Sequence, residues 1–525
     1  MTTTTLNTVI MKVKDSLHEL IQSLSKSEKR YYKLYASRHV STEDSTMLAL
    51  FDYIAKQTHY NEAALFHDFK GKALLNQFST IKKRLYDQIL LSLHAFHANN
   101  SVENQLNRML HQATLLYEKS LYDQCERQLR SAEKLALKHD LSLPLIAINK
   151  LKNRIVETRG YQLEPNSLET LKLSTDTALS RERLLVDLWY VKSKLFRLLQ
   201  RSGAAQTETD HQMIEQLLAQ LPSAEFIQGF ASVESTYLYN HIFAAYHFAK
   251  NEWTQSLTYT ELVINHLTKN TAFLNQHPNM LISALTNACY LAEQSGQYNN
   301  SHAYLKQLKE IAQQQTPDAT EDLLIKLFSS RYSIELNLLT MSGQFQEAQQ
   351  LSEEVLAGID RFQEKITTQR KVFLLQQLAV TAFGCGNYHG ALQHINTILN
   401  DNKSDDQEPL TASAHLLNVV VHCELNNLDH LPYAIKQAKQ TLKATGRYGT
   451  AEQLLLQGFS KVPKMHVLDI PELFSELVKQ LTDTQPPNQL QSTYNFDFIT
   501  WLEAKIVKEP FAKKLNDKYR FMTSS

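Results

Sequence analysis

The sequence predicts an all-α fold made of helical hairpins stacked in chain order, and three observations carry that prediction. A mark recurs along the second half of the chain: Gly296-Gln297-Tyr298 followed by Ser301, Gly343-Gln344-Phe345 followed by Ala348, and Gly386-Asn387-Tyr388 followed by Ala391. Looser copies stand at Tyr122 with Cys125 and at Trp253 with Ser256. The 525 residues include only 13 Gly and 12 Pro, far below the usual shares of about 7% and 5%, so turns are few and helices long. Apolar residues make up 43% of the chain and recur at helical rather than strand spacing.

Physical chemistry assigns a role to each position of the mark. Glycine closes the first helix of a hairpin because it takes the left-handed conformation without a Cβ penalty. The aromatic fills the crease between that helix and the next. The small residue one turn later lets the two backbones approach.

Taken in order, residues 1–100 form a helical module that lacks the mark. Leu17, Leu20, Ile21 and Leu24 share a helix face, and Ser25 with Glu28 makes a capping box for the next helix. That second helix carries Tyr31, Leu34 and Tyr35 on one side and Lys26, Lys29, Arg30 and Lys33 around it. A third holds Met47, Leu50, Phe51 and Ile54, and Asn61 caps a fourth. A long fifth helix aligns Leu74, Phe78, Ile81, Leu85, Ile89, Leu93 and Phe96. Residues 101–465 carry the repeated hairpins, about seven in all, with Thr320 capping one helix. Between Tyr122 and Trp253 the marks fade, and Gly160-Tyr161 and Gly203-Ala204 suggest about two degenerate repeats. Residues 466–525 form a C-terminal helical cap. There a Pro486-Pro487 linker precedes the aromatic run from Tyr494 to Leu502, which is expected to fold back over the last hydrophobic face of the array, the alternative being a docking strip for another molecule.

The marks resemble the tetratricopeptide repeat (TPR) from about residue 110 to 450. That family also places a small residue nine positions before the aromatic, and here Ala113, Ala244, Cys289 and Ala379 stand there, with Leu336 departing before Phe345. Other features depart as well. The aromatics at 253, 298, 345 and 388 are 45, 47 and 43 residues apart, longer than the family's period of about 34 and inside the HEAT and armadillo range. The closing proline is missing, and Leu308, Val355 and Ile398 fill the last small position. The resemblance implies a TPR-like right-handed α-solenoid with lengthened helices, whose inner helices line a concave groove for a protein or peptide segment. The register of the aromatics then places His241, Thr286, Tyr290, Glu293, Ser333, Asn337 and Gln376 in that groove.

Composition narrows the function further. With 54 basic and 54 acidic residues the net charge is zero, which argues against a general nucleic-acid or membrane-surface binder. Four cysteines, at 125, 289, 385 and 423, have neither paired metal-ligand spacing nor disulfide density, and two of them fill small slots of hairpins, as expected for reduced thiols in a cytoplasmic protein. No export signal and no membrane-spanning apolar run is read from the sequence. His94 and His97 share a helix face without further ligands, and Gly384 to Gly390 lacks the strand and spacing of a dinucleotide fingerprint. No catalytic motif stands out, so no enzyme, metal or cofactor is expected.

Two functions remain. The first is a non-enzymatic scaffold whose groove binds a protein segment. The alternative is a regulator in which the N-terminal module, with helix-turn-helix-like spacing around Thr58-His59-Tyr60, contacts nucleic acid through Lys29, Arg30, Lys33, Lys82, Lys83 and Arg84. Self-association through an edge of the array stays open.

Overall fold

The computed structural model describes residues 15–37, 42–69, 77–99, 101–161, 166–202, 208–314, 319–401, 409–484 and 495–524, and every regular element among them is a helix. Leu74, Gly203-Ala204 and the Pro486-Pro487 linker lie outside the described residues. Two compact units emerge, residues 1–189 with 221–236 and residues 190–220 with 237–525.

The first unit opens with α1 (Ser16–Ser23), α2 (Lys26–Ala36), α3 (Thr42–Lys56), α4 (Glu62–Asp68) and α5 (Phe78–His97). The capping box forms as the sequence requires: Glu28 N donates to Ser25 Oγ at 3.2 Å and Ser25 N donates to Glu28 Oε2 at 2.7 Å. Asn61 caps α4 by accepting from Ala64 N. Leu17, Ile21, Phe51, Ile54, Leu65, Leu85 and Ile89 make one core. The buried face of α2 is Tyr32 and Ala36, whereas Leu34 is exposed. Tyr32 wins the interior because its ring packs on Phe51 at 4.5 Å and its hydroxyl donates to Gln88 Oε1 at 2.8 Å.

Next come α6 (Val102–Glu118), α7 (Tyr122–Lys138), α8 (Ser142–Thr158) and the 36-residue α9 (Ser167–Ser202), then α10 (Glu208–Leu218), α11 (Ala224–Gly229) and α12 (Val233–Ala249). The division between the units falls inside α9 and α12.

In the second unit α13 (Trp253–Lys269), α14 (Thr271–Gln276), α15 (Pro278–Gln294), α16 (Tyr298–Gln313), α17 (Glu321–Met341), α18 (Phe345–Gln350) and α19 (Ser352–Phe362) are followed by α20 (Thr368–Gly384), α21 (Tyr388–Asp401), α22 (Pro409–Glu424), α23 (Leu431–Ala444), α24 (Thr450–Lys461) and α25 (Ile470–Thr484). Helices close in sequence pack together: α15 on α16 and α17, α17 on α20, and α20 on α21 and α22. Thr320 caps α17 by accepting from Leu323 N.

Each hairpin turn closes in the same way. Gly296 (φ +73°), Gly343 (+72°) and Gly386 (+77°) are left-handed, and so are Ser120 (+59°), Asn251 (+60°) and Asn426 (+55°) at the turns without glycine. The following amide then reaches back five residues, as from Gln297 N to Ala292 O at 2.7 Å and from Glu252 N to His247 O at 2.9 Å. The two small slots of a hairpin face one another: Cys125 Sγ donates to Ala113 O at 3.1 Å, and Ser256 Oγ to Ala244 O at 2.7 Å. The marking aromatic lies on the side chain five residues earlier, Tyr122 on Tyr117, Trp253 on Phe248 and Tyr388 on Phe383. Phe345 instead packs against Gly384, where a Cβ would meet its ring at 2.2 Å.

The chain ends in α26 (Phe498–Val507) and α27 (Phe511–Ser524). Phe496, Phe498 and Trp501 are buried with Phe383, Phe459 and Phe474, and Trp501 Nε1 donates to Glu424 Oε1 at 2.7 Å. None of the described helices is long and apolar enough to cross a membrane.

Candidate functional site

A polar chain runs across the first helices of three consecutive hairpins. Ser301 Oγ, from α16, donates to Glu293 Oε1 at 3.1 Å, and Asn337 Nδ2, from α17, donates to Glu293 Oε2 at 2.8 Å. Gln377 Nε2, from α20, donates to Asn337 Oδ1 at 3.1 Å, and Thr340 Oγ1 lies 3.0 Å from Gln377 Oε1. Two predicted groove residues, Glu293 and Asn337, are therefore bonded to each other.

Glu293 is 7% exposed. Its burial pushes the carboxyl up to about 8, against the opposing pull of the Ser301 and Asn337 bonds. Glu293 therefore keeps its proton to higher pH than an exposed carboxyl does.

Beside Glu293 is a cavity of about 150 Å³ lined by Tyr290, Glu293, Ser333 and Asn337, all predicted for the groove. Its other walls include Phe373 of α20 and the chain's own Asn495, Phe496, Asp497, Phe511 and Leu515. Helix α27 thus lies over the hairpin turns. Tyr519 packs on Tyr298 at 5.2 Å, its hydroxyl is 3.0 Å from His302 Nε2, and Asn516 Nδ2 donates to Ser342 O at 3.1 Å. Phe511 stacks on Phe345. Gly343 is required here twice over, because a Cβ would come within 2.4 Å of Ala512 O in addition to straining a positive φ.

The remaining predicted residues are placed differently. Gln376 is fully buried and donates to Ser413 Oγ of α22, away from the cavity. Successive helical residues diverge by about 100°, so Gln377 faces α17 while Gln376 faces α22. Thr286 is half-buried, with its hydroxyl donated to Ile282 O. His241 sits between Phe196 and Tyr237, where burial and Lys192 hold it neutral with a pKa of about 3. Sequence reasoning missed Gln377 and Thr340, and although it expected the C-terminal aromatic run to fold back, it did not foresee that α27 reaches the turns at Tyr298 and Ser342. It also passed over Lys326 and Arg370, although each stands seven residues, two helical turns, before a face residue, Ser333 and Gln377 respectively.

In the N-terminal unit Lys33 pairs with Asp52 at 2.6 Å, and Lys82 pairs with Asp15 while donating to Tyr60 Oη at 3.0 Å. Lys29 is half-buried, and Arg30, Lys83 and Arg84 are exposed. His97 binds the capping carboxylate of Glu28 at 2.6 Å. No group of three or more His, Cys, Asp or Glu among the described residues is placed to hold a metal ion. Comparison of the chain with family models, with curated proteins and with solved structures finds no significant match, so the functional reading rests on this geometry.

Proposed function

We propose that this protein is a non-enzymatic binding scaffold, a TPR-like α-solenoid in which the face formed by α15, α17 and α20 receives a segment of another protein. The observation that carries the reading is the chain's own segment 495–524, which lies over the end of that face and closes the cavity lined by Tyr290, Glu293, Ser333 and Asn337. A surface that holds one polypeptide segment by aromatic packing and by side-chain bonds, one of them to a backbone carbonyl, has the chemistry to hold another. Beyond α27 the same face continues through half-buried Ser333, Phe373, Lys326 and Arg370.

The test is site-specific photocrosslinking of the full-length protein in its native lysate. A benzophenone side chain at Tyr290, 39% exposed on this face, should yield nuclease-resistant, protease-sensitive adducts. The same probe at Leu356 of α19, 40% exposed, should not. Equal labelling at both positions, or adducts removed by nuclease, would count against the scaffold.

A further inference from the structure

Lys326 of α17 and Arg370 of α20 break a general rule of protein interiors, that cations drawn out of water are paired. Both are half-buried, and neither side chain has a hydrogen-bond or ion-pair partner among the described residues. Of the carboxylates of the first turn of α17, Glu321 pairs with Lys365 at 2.5 Å, and Asp322, which accepts from Asn279, attracts Lys326 from one turn away without forming an ion pair with it.

The two cations belong to one neighbourhood. The bond between Asn337 and Gln377 fixes the register of α17 against α20, and two turns back along each helix stand Ser330 and Arg370, with Lys326 one turn further on α17. Burial, and the repulsion of Arg370, pull the Lys326 amine down to about 8 against the attraction of Asp322. Burial lowers Arg370 as well. Ser330 is an independent sign: it is 0% exposed and its hydroxyl has no partner. Two like charges and an unused hydroxyl within about one helical turn of one another on neighbouring helices are a cost to the folded chain that a bound anion removes.

We infer that Lys326, Arg370 and Ser330 form a recognition site for an oxyanion, a phosphate or carboxylate group carried by the ligand of this face. Arg370 supplies a planar fork of donors, Lys326 a second positive charge, and Ser330 a hydroxyl donor. The ligand's identity as a polypeptide rests on the scaffold reading, whereas binding of the anion does not.

The experiment follows the thermal unfolding midpoint of the full-length protein against inorganic phosphate at constant ionic strength, with acetate in a parallel series. Wild type is compared with Lys326→Gln, Arg370→Gln, the double variant, and Lys83→Gln as a control for surface charge. A saturable rise should appear in wild type and Lys83→Gln, and the double variant should bind at least about tenfold more weakly, the scale expected for losing one or two charge-assisted bonds. Without anion, the single variants should melt at or above wild type because repulsion is relieved. Response to phosphate alone assigns a phosphoryl group, and an equal response to acetate assigns an acidic side chain; both support the site. An unchanged response in the double variant overturns it, as does a lower anion-free midpoint in the single variants, which would make the two cations structural. Anion binding without crosslinking at Tyr290 would retain this site and remove the scaffold, and crosslinking without anion binding would do the reverse.

Discussion

Glu293 couples the stability of its unit to pH. Its folded pKa, about 8, lies above the ordinary 4.5, so the folded state holds the proton more tightly than the unfolded one. The stabilisation is fully present below about pH 4.5 and is lost as pH rises toward 8. Glu293→Gln, which can donate to Ser301 Oγ and accept from Asn337, should flatten that profile and exceed wild type by about 1–2 kcal/mol at pH 8.5 in urea denaturation. A wild-type profile that rises between pH 6 and 8.5 would refute the assignment. The glycines of the turns give a second set of expectations. Gly296→Ala and Gly386→Ala meet no atom within 4 Å and should cost only about 1–2 kcal/mol for the left-handed backbone. Gly343→Ala must also displace Ala512, so it should cost more and expose α27 to trypsin at Lys513, Lys514 and Lys518. That Glu293 and Asn337 lie on facing sides of neighbouring helices was legible in the sequence because their register follows from the turn aromatics, but their burial and their bond to each other were not. The choice of Gln377 over Gln376 was not, since it depends on which neighbour each side of α20 meets.

Hairpins were most legible where the turn uses glycine, because there the left-handed residue announces itself, whereas the turns before Tyr122 and Trp253 were read only from the aromatic and the small residue after it. Ser120, Asn251 and Asn426 adopt the same φ with ordinary side chains, and a sequence reading sees them only as polar. The stretch after Tyr161 was harder still, since the 36 residues of α9 carry no internal stop signal. The aromatic run near the end was legible as a buried element because so many rings have no stable place in water. Its partners were not, since they are up to 118 residues away, as Phe383 is from Trp501. Trp501 is 1% exposed and joins α26 to α20, α24 and α25. Trp501→Ala should therefore cost about 3–5 kcal/mol, whereas Trp501→Phe, which keeps most of the packing and loses the bond to Glu424, should cost about 1–3 kcal/mol. Equal losses in equilibrium unfolding would show that the ring's packing contributes little.

For the whole molecule, neutral net charge and the internal pairing of Lys33 and Lys82 leave little electrostatic drive toward nucleic acid. The full-length protein should bind duplex DNA weakly, with a log affinity against log salt slope shallower than about −2; a steep slope would favour the regulator over the scaffold. The position of α27 also sets an order of events during synthesis. Tyr298 is bonded to Met522 across 224 residues of chain, and neighbouring hairpins need no such span. At about 5–20 residues per second, a ribosome needs roughly ten to fifty seconds to supply the covering helix after the turn it covers. For that interval the growing chain presents Tyr298 uncovered, and Phe345 and the cavity beside Glu293 join it once α17 to α20 have been made. The nascent polypeptide is then open both to chaperones and to a competing segment before its own helix arrives.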